Sequence, residues 1–185
     1  HGLGVACIEE AVALRQSGIR APILLLEGAV DAEELALAAQ LHLDTVIHCH
    51  SQLVHFERLS KFPGRVWVKV DTGMGRLGFD GSAVAAVWHR VHKRLSDAKL
   101  LGLMTHLSSA DLPNAMPTIA QYEMIYELGY ALGAQAITVA NSAGLLSVGD
   151  GQGSPADIWT RPGLMLYGVS PFADRVGSEL GLTPV

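Results

Sequence analysis

The sequence has few of the features that would tie it to an oxidising compartment, to nucleic acid or to a membrane. It contains two cysteines among 185 residues, Cys7 and Cys49, too few for the disulfide framework of a small secreted domain. Its formal net charge of −5 excludes the strongly basic surface that binds nucleic acid or anionic lipid. No apolar run approaches the length of about 20 residues that crosses a bilayer. We therefore expect a cytoplasmic protein with reduced thiols and no nucleic-acid or membrane partner.

The chain also lacks an initiator methionine and any signal peptide. It begins with His1 and Gly2 directly before an apolar run, so we expect it to be part of a longer protein. Its composition is that of a globular domain, because 49% of the residues are hydrophobic and 17% are charged. A chain of 185 residues is long enough to bury a substantial core.

Short apolar runs alternate with amphipathic segments along the chain. The apolar runs predict seven strands, at residues 3–6, 23–26, 45–48, 65–70, 100–104, 137–140 and 164–169. Segments with a helical hydrophobic period predict helices at residues 8–17, 31–40, 51–61, 82–95 and 117–132. This alternation predicts a parallel sheet that is covered by helices.

The polar residues with the most chemical potential lie close to the ends of several predicted strands. They are Arg76, His106, Asn141 with Ser142, and Gly163. An open doubly wound sheet gathers its ligand at one switch point, whereas a barrel builds its site from many strand ends. The sequence therefore favours an α/β fold of the (β/α)8 TIM-barrel type, truncated because seven strands are one too few. We assign residues 1–172 to this partial barrel and residues 173–185 to a linker toward a further domain.

The stretch at residues 66–79, VWVKVDTGMGRLGF, joins a predicted strand to a glycine-rich loop. Alternating valines favour the strand, and Gly73 and Gly75 predict a sharp exit from it. Such a loop would hold the guanidinium of Arg76 rigidly at the tip of the strand.

Other candidates have ordinary structural explanations when they are taken alone. Arg161 lies before Pro162, which favours an extended backbone, and its side chain could bind an anion or lie on the surface. Ser142 could cap a helix, and His106 could be a structural hydrogen-bonding residue. Lys69 interrupts an apolar strand and must be paired, chemically modified or turned outward.

A metal site is one alternative for the histidines. His48, Cys49 and His50, with Asp71 and His106, could form the ligand set of a metal-dependent barrel hydrolase. The His-x-His spacing is common by chance, and no other ligand spacing supports it. We therefore predict that the chain binds no metal.

Several long motifs, in their order along the chain, resemble those of alanine racemases, which use pyridoxal 5′-phosphate (PLP) to interconvert L- and D-alanine. The matching segments are LGVACIEEA, PILLLEG, DTGMGRLG and RPGLMLYGVSP, and the resemblance covers essentially the whole chain. It implies PLP as the cofactor, alanine as the substrate and a homodimer for the complete protein. It also implies a role in supplying D-alanine for peptidoglycan or in degrading it.

The resemblance further implies that one group of residues meets the cofactor ring and its phosphate. Arg161 would face the pyridine nitrogen, and His106 would orient it. The phosphate would be met by Asn141, Ser142, Gly163 and Leu164. An arginine keeps its protons, so it would donate a hydrogen bond to the ring nitrogen without protonating it. The ring would then be a weaker electron sink, which favours reprotonation of the substrate over transamination.

A second group of roles follows from the same resemblance. Lys69 would be carbamylated and would hold Arg76, which would reach the phenolic oxygen of PLP. Leu26 would pack against the cofactor, although it could equally be a simple core residue.

Both proton-exchanging groups of the resembling enzymes are missing from this chain. Their PLP-bearing lysine lies on a first barrel strand, and no lysine-bearing strand precedes Leu3. Their second base is a tyrosine in a C-terminal β-domain, which is also absent. We therefore expect no catalytic residue here and no activity of the chain alone. A non-catalytic PLP-binding barrel, which needs no second domain, remains an alternative.

Overall fold

The structure is a computed structural model that describes residues 1–95, 101–148 and 156–185. Its strands are β1 (Leu3–Val5), β2 (Ile23–Leu25), β3 (Asp44–Ile47), β4 (Val66–Asp71), β5 (Phe79–Asp80), β6 (Leu101–Met104), β7 (Ala136–Thr138) and β8 (Asp157–Trp159). Its α-helices are α1 (Ile8–Gln16), α2 (Ala32–Gln40), α3 (His50–Arg58), α4 (Gly81–Arg94), α5 (Met116–Leu132) and α6 (Ser142–Ser147). Short 3-10 helices lie at Leu164–Tyr167 and Gly177–Leu180.

The chain divides into two compact units. The first unit consists of His1–Val70 and Arg76–Leu103, and the second consists of Asp71–Gly75 and Met104–Val185. The predicted boundary between residues 172 and 173 separates the barrel from a linker and does not coincide with the division between these two units. It stays a prediction.

In the first unit, parallel strands alternate with helices. The strands lie in the order β1-β2-β3-β4-β6, and β5 pairs with β4 outside this path. The pairs β1–β2, β2–β3 and β3–β4 are parallel, with Leu3 opposite Ile23 and Thr45 opposite Val66. Residues of β3 and β4 are buried along both alternating phases, as expected for strands covered on both faces.

An ion pair joins the starts of β3 and β4. Asp44 Oδ2 accepts hydrogen bonds from Arg65 Nε at 2.8 Å and from Nη2 at 2.5 Å, and Oδ1 accepts from the Arg65 backbone N–H at 2.8 Å. The Asp44 side chain is 9% exposed and that of Arg65 is 24% exposed. The carboxylate thus fixes the register at which the two strands begin.

The helices pack through the faces that the sequence predicts. In α4 the buried residues are Val84, Val87, Trp88 and Val91. Asp31 caps α2 by accepting from the N–H groups of Glu33 and Glu34 at 2.9 and 2.8 Å. Ser51 as the predicted N-cap of α3 and an end near Lys61 are wrong, because the helix spans His50–Arg58 with Cys49 as its N-cap. None of the helices in the described ranges is long and apolar enough to cross a membrane.

In the second unit, α5 and α6 alternate with β7 and β8, and these two strands pair in parallel with Ile137 opposite Ile158. A strand predicted at residues 164–169 is wrong: Leu164–Tyr167 is a 3-10 helix, and the strand lies earlier, at Asp157–Trp159. Gly168, with φ of 75°, ends the 3-10 helix in the left-handed region that glycine tolerates. Residue 100, the first of another predicted strand, lies outside the described residues; the rest of that strand, residues 101–104, is present as β6.

Candidate functional site

Arg161 is fixed by the ends of strands in the second unit. Its backbone N–H donates to the carbonyl of Ala140, just beyond β7, at 2.8 Å. Its Nη2 donates to the carbonyl oxygens of Thr105 at 2.6 Å and Val139 at 3.1 Å, and Nη1 donates to Thr138 Oγ1. These contacts immobilise the guanidinium and still leave N–H donors for a ligand, since arginine has five.

Arg161 is half-buried, and the groups that accept its hydrogen bonds at the strand ends are carbonyl oxygens and a hydroxyl. Burial lowers the pKa of Arg161 to about 10, and nearby Tyr122 opposes this shift. Because this pKa lies well above neutral pH, the side chain remains a cation there. A half-buried, fixed cation of this kind is suited to a hydrogen-bond acceptor or an anion that arrives with a ligand.

His106 lies beside Arg161, as the resemblance implies, but it contributes the longest of these contacts. Its Nδ1 is 3.4 Å from Arg161 Nη2, and the histidine is half-buried. The shorter bonds to Arg161 come from the main chain at Thr105 and Val139. The orienting role of His106 stays a prediction, and most of the hydrogen bonds that fix the Arg161 guanidinium are made by backbone carbonyls.

Ser142 connects α6 to the segment after Arg161. Its buried Oγ accepts hydrogen bonds from the N–H groups of Gly163 at 2.9 Å and Met165 at 3.3 Å. Because this oxygen accepts both bonds, its own proton can be donated to a ligand. The cap of α6 is Asn141 and not Ser142: the Asn141 side chain accepts from Gly144 N at 2.9 Å.

Gly163 and Leu164 lie where a ligand could approach them. Gly163 is exposed, and a Cβ added there would meet nothing within 4 Å, so packing does not require glycine at this position. Leu164 is 53% exposed. The Gly163 N–H donates its proton to Ser142 Oγ, so the Ser142 hydroxyl is the donor of this pair that is left for a phosphate. The predicted phosphate roles of both residues stay predictions.

The glycine-rich loop after β4 has the sharp, glycine-dependent turn that the sequence predicts. Gly73 and Gly75 have φ values of 127° and 70°, which side-chain-bearing residues rarely adopt. Asp71 Oδ1 accepts from both N–H groups at 3.0 Å and closes the loop.

The remaining predicted residues lie in the first unit. Leu26 is half-buried after β2, where its N–H donates to the Val5 carbonyl at 2.9 Å. Lys69 is 6% exposed within β4, so its side chain is not on the solvent-exposed surface, but both faces of β4 are buried and its facing stays open. Arg76 is exposed. The cofactor roles of Leu26, Lys69 and Arg76 are not tested by their positions and stay predictions.

The pKa of His48 depends on the charge of Lys69. Burial lowers the pKa of His48 below 6.5, and the nearby positive charge of Lys69 lowers it further. Over the ranges that the structure covers, no group of three or more His, Cys, Asp or Glu side chains is placed to hold a metal ion. The hydrolase alternative therefore has no ligand set in this part of the chain.

Sequence reasoning missed Gln121, Thr72 and Thr105. Gln121 is 2% exposed on α5, and its amide nitrogen donates to Thr72 Oγ1 at 2.9 Å and to the His106 carbonyl at 3.0 Å. The hydroxyls of Thr72 and Thr105 are 2.7 Å apart. A glutamine on the buried face of a predicted helix was the available signal, because an amide there must find polar partners.

Known proteins match this chain over nearly all of its length. The model of the alanine racemase N-terminal domain matches residues 1–171. The alanine racemase of Shewanella amazonensis is 44% identical over 184 residues, 99% of this chain and 49% of that protein. The alanine racemase of Legionella pneumophila is 41% identical over 189 residues, 100% of this chain and 51% of that protein. The chain thus spans about half the length of the curated relatives that it matches.

Solved structures give the same result. A crystal structure of biosynthetic alanine racemase from Pseudomonas aeruginosa matches with a TM-score of 0.87 and 41% identity, over 100% of this chain and 50% of that one. Alanine racemase from Acinetobacter baumannii matches with a TM-score of 0.85 and 28% identity, over 98% and 50%. The predicted fold class, an α/β fold of the truncated (β/α) barrel type, is confirmed. The chain belongs to the alanine racemase family and corresponds to its N-terminal domain.

Proposed function

We propose that the complete protein that contains this chain is a PLP-dependent alanine racemase, and that the second unit supplies the wall of its cofactor site. The observation that carries this proposal is the guanidinium of half-buried Arg161, held by the carbonyls of Thr105 and Val139 close to the segment that bonds to Ser142.

The donor set of this wall fits the polar groups of PLP. A pyridine nitrogen accepts one hydrogen bond, and Arg161 retains donors after its bonds to the strand ends. A phosphate accepts several, and the Ser142 hydroxyl can donate one of them, because its oxygen already accepts from the Gly163 N–H at 2.9 Å and its own proton is left to donate. When bound, PLP would withdraw electrons from the substrate and so acidify its Cα proton.

Arg161 determines how strongly that withdrawal operates. With a pKa of about 10, it holds its protons and donates a hydrogen bond without transferring a proton. The electron demand on the substrate stays moderate, which favours return of a proton to Cα over transfer of the amino group. Moderate demand of this kind is what a racemase requires.

The second unit does not supply every group that the proposed reaction needs. We place the lysine that joins PLP and the tyrosine that acts as the second base in the remainder of the complete protein. Lys69 is proposed to carry a carbamate that holds Arg76 toward the phenolic oxygen, and Leu26 to pack on the cofactor. We further propose a cytoplasmic homodimer that acts on alanine and supplies D-alanine for peptidoglycan. The resemblance to a biosynthetic racemase of Pseudomonas aeruginosa supports the last point.

The test is racemisation by the complete protein. L-alanine is added to the purified protein before and after PLP is removed with hydroxylamine, and D-alanine is measured by its oxidation with a D-amino-acid oxidase. We expect D-alanine to form, to cease after removal of PLP and to return when PLP is restored. PLP binding without D-alanine formation would instead indicate a non-catalytic PLP-binding protein. D-alanine formation that persists without PLP would also overturn the proposal.

A further inference from the structure

We propose that Gln121 is a positioning residue that fixes the guanidinium of Arg161 through the main chain after β6. This inference rests on the proposed function for its effect on PLP, but the geometry that it explains belongs to the second unit alone. Gln121 contacts no reacting atom, and it acts through the residues around Thr105.

The side-chain amide of Gln121 uses its full hydrogen-bonding capacity. Nε2 donates to Thr72 Oγ1 at 2.9 Å and to the His106 carbonyl at 3.0 Å. Oε1 accepts from the backbone N–H of Ser108 at 2.9 Å and from its hydroxyl at 3.1 Å. Two donors and two acceptor positions are all that an amide possesses, so the four bonds define a single orientation of the group.

Three of these four bonds reach His106 and Ser108, just after the carbonyl that holds Arg161, and the fourth reaches Thr72. The His106 carbonyl and the Ser108 N–H are one and three residues beyond Thr105, whose carbonyl accepts from Arg161 Nη2 at 2.6 Å. From the other side, Thr72 Oγ1 lies 2.7 Å from Thr105 Oγ1. Gln121 therefore ties both the backbone after Thr105 and the Thr105 side chain to helix α5.

No other residue type of this size reproduces the pattern. Glutamate could still accept from Ser108 but could not donate to the His106 carbonyl, and it would bring a charge into a site that is 2% exposed. Methionine would fill the volume but would remove the four hydrogen bonds that Gln121 makes to Thr72, His106 and Ser108. In either case the segment around Thr105 loses the contacts that hold its carbonyl against Arg161.

The experiment uses the complete protein with 15N-labelled arginine. Solvent exchange of the Arg161 guanidinium N–H groups is measured by NMR without PLP, and the dissociation constant for PLP is measured by its absorbance. The variants are Gln121→Glu and Gln121→Met, and Arg161→Lys identifies the Arg161 signals. Thr118→Val is the matched control, because Thr118 lies one turn earlier on α5 and is 1% exposed, and in the described structure its hydroxyl has no hydrogen-bond partner.

We expect Gln121→Met to raise the exchange rate of the Arg161 N–H groups about tenfold or more and to weaken PLP binding by a similar factor, with Gln121→Glu between it and the unchanged protein. Thr118→Val should leave both quantities unchanged. Wild-type exchange rates in both folded Gln121 variants would overturn the proposal. If Gln121→Met does not fold, exchange in Gln121→Glu decides the matter. Failure of the unchanged protein to bind PLP would overturn the proposed function, while the exchange rates would still test Gln121.

Discussion

Arg161 Nη2 lies 2.6 Å from the carbonyl oxygen of Thr105, so a half-buried cation is held by the main chain at the end of a strand and not by a carboxylate. A carboxylate would neutralise the charge, whereas a carbonyl orients it and leaves it available to a ligand. This relationship explains how the second unit could present a fixed guanidinium to a neutral ring nitrogen.

Replacement of Arg161 with lysine tests the need for that geometry. Arg161→Lys keeps the charge but loses the planar fork that reaches Thr105, Val139 and Thr138 at once. We expect PLP binding by the complete protein to weaken roughly 10- to 100-fold, equivalent to about 1.5–3 kcal/mol. Arg58→Lys, at an exposed position in α3, is the control and should have no effect. Equal PLP affinities of the unchanged protein and Arg161→Lys would show that the fork is dispensable.

Ser142 is tested by comparing PLP with pyridoxal, which lacks the phosphate. Ser142→Ala removes the oxygen that accepts from Gly163 and Met165, and with it the proposed phosphate donor. We expect PLP affinity to fall about tenfold, while pyridoxal affinity changes much less. Ser147→Ala removes a hydroxyl from the same helix and should change neither affinity. Equal losses for PLP and pyridoxal would place Ser142 away from the phosphate.

The ion pair between Asp44 and Arg65 predicts a stability effect that is separate from function. Asp44→Asn removes the charge that partners a guanidinium only 24% exposed. Because Arg65 retains some contact with water, we expect the free energy of unfolding to fall by about 2 kcal/mol, which is less than for a fully buried pair. The change in melting temperature of the complete protein measures it. Asp174→Asn, at an exposed pair 3.7 Å from Arg175, should leave the melting temperature unchanged, and a similar drop in both variants would contradict this assignment.

His48 reports the charge on Lys69. With Lys69 as an ammonium ion, the pKa of His48 lies below 6.5, so its contribution to stability is present above pH 6.5 and is lost as pH falls through the lowered value. Lys69→Gln removes the positive charge and should raise the pKa of His48. A carbamate on Lys69 is negative and should raise it further.

An NMR titration of His48 therefore tests the proposed carbamylation. If Lys69 carries a carbamate in the complete protein, the pKa of His48 in the unchanged protein lies above that in Lys69→Gln. A value below that of Lys69→Gln would mean that Lys69 is an ammonium ion, and another group would have to hold Arg76.

The sequence predicts most elements of this fold because the strands and helices carry clear periods. The error at Leu164–Tyr167 has a simple cause: four apolar residues between glycines fit a strand or a helical turn equally well, and Asp157–Trp159 is too short to stand out. The alternation of side chains along β4 could not show which face of the sheet Lys69 lies on, because β4 is buried on both faces. Gln121 was missed because its partners, Thr72, His106 and Ser108, are brought to it only by the tertiary fold.

The central claim is that the complete protein exchanges the Cα proton of alanine by means of PLP. Alanine is incubated with the complete protein in D2O, and the loss of the Cα proton signal is followed by 1H NMR from each enantiomer. The expected result is PLP-dependent deuterium incorporation from both L- and D-alanine, with equal amounts of the two enantiomers at equilibrium. Retention of the Cα proton in the PLP-loaded protein would contradict the account.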